Sequence, residues 1–113
     1  MPNHMQQLDQ VFRALADPTR RAVLEQLNRG PAPMSALARP FHMALPSFAQ
    51  HMDLLEQCGL VHSRKQGRVR TYTLSPKPLQ AAEGWLTTQR ALWERRLDQF
   101  DTYVRTLKKE GAS

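Results

Sequence analysis

Four basic side chains, Arg64, Lys65, Arg68 and Arg70, lie within seven residues on either side of Gly67. Cationic groups at that density suit phosphate oxygens, and an arginine at the tip of a turn also fits a minor groove. Alone, the same run equally describes a solvated hairpin. A second group lies upstream, where Leu45, Ser47, Gln50 and His51 fall near the start of a helical stretch. A carboxamide such as that of Gln50 can make two hydrogen bonds with an adenine edge, and a serine hydroxyl serves a base or a phosphate. His51 has two readings: a contact to phosphate or base, or a ring packed locally where this helix meets the following hairpin. Arg20 and Arg21 have three: the DNA backbone, acids such as Asp17, or no measurable role.

Other chemistry finds little support. Cys58 and His62 are spaced as Cys-x-x-x-His, but two ligands do not complete a zinc site, and His4 and His42 join them only by accident of folding. Cys58 has no second cysteine, so a redox switch there needs an intermolecular or small-molecule thiol. There is no phosphate-cradling glycine loop, no HExxH and no nucleophile–base pair with supporting spacing. The expectation is therefore no catalysis, no metal site and no cofactor.

Composition agrees with a binding domain. The 113 residues carry 16 Lys plus Arg against 10 Asp plus Glu, a formal net charge of +6. That length suits one domain, and 41% hydrophobic with 23% charged residues excludes disordered and fibrous classes. The charge is uneven: Glu56 to Glu83 contains no acid between its ends but holds Arg64, Lys65, Arg68, Arg70 and Lys77. Residues 26–52 also lack acids. No apolar run spans a membrane, and Met1-Pro2-Asn3-His4 does not open a secretory signal. The single cysteine excludes an internal disulfide and fits a reducing cytosol. A small basic domain of this kind suggests an anionic partner, nucleic acid first.

The elements that position these residues follow from periodicity. Leu8, Val11, Phe12 and Leu15 form one helical stripe. Asp17-Pro18 then reads as an N-cap followed by proline at the first helical position, and Gly30 with Pro31 and Pro33 stops the second helix. A short helix spans Met34–Arg39. After Pro40 a further helix runs from about Leu45 to Cys58, with Phe48, Met52 and Leu55 inward. Two helices around a short turn read as a helix-turn-helix. Val61–Gln66 and Arg68–Leu74 flank Gly67 as a hairpin. By parity Arg68, Arg70, Tyr72 and Leu74 share one face. The last helix carries Leu79, Leu86, Trp93, Phe100 and Leu107 seven apart, with Leu97 and Val104 between. Seven-residue spacing is the period of helix pairing, so this face suits a dimer.

Three stretches are also familiar as text. Phe12-Arg13-Ala14-Leu15-Ala16-Asp17-Pro18-Thr19-Arg20-Arg21 resembles the opening motif of the ArsR family of bacterial transcriptional repressors. Gln50-His51-Met52-Asp53-Leu54-Leu55 through Gly59-Leu60-Val61 resembles that family's recognition-helix segment, and Gln66-Gly67-Arg68-Val69-Arg70-Thr71-Tyr72 its wing. The likeness runs from about Leu8 to Leu107. It implies a mainly α fold with a small β-hairpin wing, a winged helix-turn-helix. Residues 8–29 would form the N-terminal helices, 34–58 the helix-turn-helix, 61–74 the wing and 76–109 the dimerisation helix, all one domain over 1–113.

It further implies a homodimeric repressor on an inverted-repeat operator, cytoplasmic and on the nucleoid when bound to DNA. The DNA contacts would come from Leu45, Ser47, Gln50, His51, Arg64, Lys65, Arg68 and Arg70. Helices 1 and 5 would form the dimer interface through Leu8, Phe12, Leu86, Trp93, Leu97, Phe100 and Val104. Ala44 stands where the family usually has Ser, Pro33 where it often has Ser or Thr, and Met52 where it has Leu. The family's Cys-x-Cys metal site is missing from Met34–Arg39, and its Asp–His site from a last helix without histidine. The interface around Trp85, Trp93 and Leu97 offers room for a small apolar effector of unknown identity. The alternatives are a winged-helix protein-interaction module without specific DNA binding, and a Cys58-based redox- or metal-responsive regulator.

Overall fold

Asp17 shows how local chemistry starts the fold. Its backbone is extended, its Oδ2 accepts the Arg20 amide at 3.0 Å, and Pro18 occupies the first helical turn. In the computed structural model, which describes residues 4–111, this cap separates helix α1 (His4–Leu15) from α2 (Pro18–Leu27). Met1–Asn3, the start of the segment read for a signal, and the side chain of His4 lie outside the described residues. There follow β1 (Ala32–Pro33), α3 (Met34–Ala38), α4 (Leu45–Gln57), β2 (Val61–Gln66), β3 (Val69–Leu74) and α5 (Lys77–Gly111).

The helix-turn-helix is α3, a turn and α4. The Phe41 amide donates to the Ala38 carbonyl at 3.0 Å, and the Phe41 ring stacks on Phe48 with centroids 5.7 Å apart. Phe48, Met52 and Leu55 are fully buried from α4, and with Val23, Leu27, Leu37, Leu60, Val61 and Tyr72 they make the main core. α4 ends in a Schellman turn, in which the Gly59 amide donates to Glu56 O and the Leu60 amide to Leu55 O, both at 3.0 Å. That turn requires the left-handed backbone of Gly59, φ +81°.

The wing is one strand larger than the sequence suggests. β1 pairs with β3, Ala32 opposite Tyr72 and Pro33 opposite Thr71, so the sheet order is β1-β3-β2. Proline cannot donate to a ladder, and it is tolerated here because β1 is an edge. The β2–β3 register pairs Gln66 with Val69 and leaves Gly67-Arg68 as a two-residue loop, with Gly67 at φ +62°. Glycine at the first loop position fits a type II′ turn, whose twist matches the strands.

The chain divides into two packing units, one through Ala82 and one from Glu83. The first holds the main core and a smaller cluster of Leu8, Val11 and Ala82, against which Phe12 and Leu79 pack. The second is the distal length of α5. Among the described residues no helix is long and apolar enough to cross a membrane.

Candidate nucleic-acid interface

α4 is buried on one side and bare on the other. Leu45, Ser47 and Gln50 are exposed at its start, on a helix whose Phe48, Met52 and Leu55 are sealed in the core. Leu45 is 58% exposed. Asp53 and Gln57 continue the Gln50 face by helical spacing and are also exposed. Asp53 was not among the expected DNA contacts, although a carboxylate on such a face can accept from cytosine N4. Ala44 caps α4 without a side-chain hydrogen bond, so Ser47 does not hold the helix end.

His51 is half-buried, and it packs towards α2 rather than towards the hairpin. Its Nδ1 lies 3.0 Å from Arg20 Nη1 and 3.7 Å from Asp17 Oδ2. Arg20 also donates through Nε to Ala14 O at 2.9 Å and through Nη2 to Arg13 O at 2.8 Å. Arg21 donates to Leu15 O at 2.7 Å. These carbonyls close α1, where intrahelical donors have run out. The two arginines therefore cap α1, and Arg20 additionally reaches the recognition helix. Burial pushes the Asp17 carboxyl up, but the Arg20 amide and neighbouring positive charge outweigh it and hold the group below its ordinary value.

The four wing cations do not form one surface. The register places Val61, Ser63 and Lys65 on one face with Leu74, Tyr72 and Arg70. Val61 and Tyr72 are buried there. Arg64 lies on the opposite face, in an open hollow with Pro31, His62, Gln66, Thr71 and Thr73. Arg68 is at the tip. Arg70 is engaged within the fold: its Nη1 donates to Ser63 Oγ at 2.8 Å, and that hydroxyl donates to Glu56 Oε1 at 2.6 Å. Burial, and then Glu56, push the Tyr72 phenol up. All four wing cations are exposed, Arg70 included.

The residues expected at an interface between copies divide similarly. Leu8 is 3% exposed and sits against Val11 and Ala82 within the protomer. Phe12 is half-buried in the same cluster. On distal α5, Leu86, Trp93, Leu97 and Phe100 are all more than half exposed, and Val104 is half-buried. A shallow hollow there is lined by Gln89, Leu92, Trp93 and Arg96; of the residues expected around an effector, Trp93 lines it.

Cys58 is buried, its thiol donates to Leu55 O at 3.3 Å, and burial pushes its pKa up. All three oppose the thiolate that metal binding and redox chemistry need. Among the described residues no three His, Cys, Asp or Glu side chains are grouped to hold a metal.

A family model described as a helix-turn-helix domain matches residues 15–64. The HTH-type transcriptional regulator Rv2034 of Mycobacterium tuberculosis is 36% identical over 103 residues, covering 91% of each chain. A crystal structure of an ArsR family transcriptional regulator, RHA00566, is 54% identical, with a TM-score of 0.78 over 83% of this chain and 97% of that one. The chain belongs to the ArsR family of transcriptional regulators. The transcriptional repressor SdpR of Bacillus subtilis is 30% identical over 79 residues, covering 70% of this chain and 88% of its own. As an ArsR-family member this protein is a winged helix-turn-helix transcriptional regulator. Its matched segment runs from the end of α1, through Arg20 and His51, into β2. Both helices of its ArsR-type helix-turn-helix start without a side-chain cap, at Pro33 and at Ala44.

Proposed function

We propose that this regulator acts as a homodimeric repressor, with α4 in the major groove of an inverted-repeat operator and the wing along the backbone or minor groove. The observation that carries the reading is the bare start of α4, where Leu45, Ser47 and Gln50 stand out beside a hairpin that has four exposed cations and an acid-free sequence. Recognition helices present their N-terminal residues to base edges in this way. Gln50 is assigned to base reading, Ser47 to a base or phosphate, and Arg64, Lys65 and Arg68 to phosphates. The uncapped amides at the start of α4 suit a phosphate oxygen as well. His51 and Arg70 act through the fold. The bacterial relatives support a place in the cytoplasm, on the nucleoid when DNA is bound.

The exposed apolar face of distal α5 favours a second copy, and it also fits a protein-interaction module that never reads DNA. Charge reversal separates the two. Arg64→Glu with Arg68→Glu should weaken binding to operator and random duplex alike, and flatten the salt dependence by roughly one per lost phosphate contact. Arg70 is left intact so that the Glu56–Ser63–Arg70 chain survives. Unchanged affinity and salt slope in gel shifts would overturn the DNA reading and leave the protein-contact reading standing.

A further inference from the structure

We propose that Arg20 is a positioning residue for DNA reading, holding the recognition helix α4 against the end of α1 through the unprotonated Nδ1 of His51. The proposal rests on the DNA-binding reading above and adds a residue that never touches DNA. Three bonds from one side chain carry it. Arg20 Nε and Nη2 are seated on Ala14 O and Arg13 O, at 2.9 and 2.8 Å, so two edges of the planar fork are fixed by the α1 backbone. The remaining Nη1 reaches His51 at 3.0 Å, across thirty-one positions of sequence. A guanidinium only donates, so Nδ1 must accept, and the ring proton resides on Nε2. The joint therefore links α1, α2 and α4 at one half-buried point. It lies one residue beyond Gln50, where a small rotation of α4 moves the reading face most directly.

The link has a chemical condition. An imidazole that gains a proton has two N–H groups and no acceptor, so Nδ1 can no longer take the Arg20 bond. Asp17 Oδ2, at 3.7 Å, is then the nearest acceptor for the new N–H, while it continues to accept from the Arg20 amide. Arg20 and Asp17, both from α2 and its cap, are the charged groups within pairing distance of the ring among the described residues. On the α1 side Arg13 lines a small cleft with Leu54, Gln57 and Cys58, and the β2 side meets α4 at Glu56 through Ser63. Neither of those offers His51 a substitute for Arg20.

The test uses the full chain and a duplex enriched by it from a randomised pool, with a random duplex of equal length as reference. The quantity read is the ratio of the two dissociation constants. For the wild type this ratio should stand about tenfold above that of a chain without the joint, as expected for one charge-assisted bond that orients the reader. His51→Asn places an amide oxygen close to the Nδ1 position, so it should keep the high ratio. His51→Leu has no acceptor and should show the low ratio. Arg20→Lys, one ammonium facing three acceptors, should fall between. Circular dichroism and the thermal midpoint confirm folding of each, and the Asn variant keeps the test decisive if Arg20 proves necessary to fold. The proposal is overturned if His51→Leu retains the wild-type ratio, or if His51→Asn falls as low as His51→Leu does. A wild type that enriches no duplex over random DNA overturns the DNA-binding reading itself.

Discussion

At the scale of single residues, three side chains of the stretch Asp17-Pro18-Thr19-Arg20 do four jobs. Asp17 caps α2, Pro18 fills the first turn, and Arg20 closes α1 while reaching α4. Asp17→Ala should cost about 0.5–2 kcal/mol, the range for losing an N-cap oxygen, and lower the thermal midpoint by about 4–8 °C per kcal/mol at this chain length. The charge contribution has a definite sign. The folded-state pKa of Asp17 is depressed, so its stabilisation is complete above the unfolded carboxylate value near ~4 and disappears as pH falls through the lower folded value. Melting curves of wild type and Asp17→Ala should therefore stay apart at neutral pH and converge in acid. A separation that persists unchanged in acid would remove Asp17's charge from the account.

At the scale of elements, glycines of opposite circumstance make a paired prediction. Gly59 holds the left-handed turn after α4, and a Cβ there would also meet Pro78 Cγ at 3.4 Å. Gly59→Ala should destabilise by roughly 1–2 kcal/mol. Gly84 lies inside α5 with open space where its Cβ would be, so Gly84→Ala should stabilise by about 0.5–1 kcal/mol. Denaturant titration reads both signs, and a stabilised Gly59→Ala would contradict the Schellman turn. The same scale shows what a sequence reveals. α2, α4 and the β2–β3 hairpin were legible because caps, apolar spacing and Gly67 are local signals. β1 was not, because two residues ending in proline acquire strand character only from β3 beside them. The location of the candidate site was legible for the same local reason. The partners of its members were not: His51 and Arg20 stand thirty-one positions apart, and Arg70 meets Glu56 only through Ser63. Charge run and charge surface are different quantities, and strand parity turned one into two faces and a tip.

At the scale of the whole molecule, the electrostatic part of DNA affinity grows with the number of phosphates contacted, so doubling the basic wings is the physical argument for a dimer. Distal α5 supplies the means, since Leu86, Trp93 and Phe100 are exposed at seven-residue intervals and Leu97 lies between them. Covering such a face removes large apolar areas from water, whereas a glutamate placed in it would be buried without a partner. Trp93→Glu with Phe100→Glu should therefore give a monomer by sedimentation, with the core of the first unit, which contains neither residue, still cooperatively folded. Losing the link between two readers removes the effective-concentration gain, about 10²–10⁴-fold for two joined modules. Operator affinity should fall by that order while binding to a single half-site changes little. Operator spacing provides the independent check: moving the half-sites apart by about five base pairs rotates them to opposite faces of the duplex, and about ten restores the face. The wild type should lose affinity at the first spacing and regain part of it at the second, and the double variant should be indifferent to both. A wild type that sediments as a monomer, or a double variant that binds the full operator undiminished, would show that the apolar face of α5 serves some contact other than a second copy of this chain.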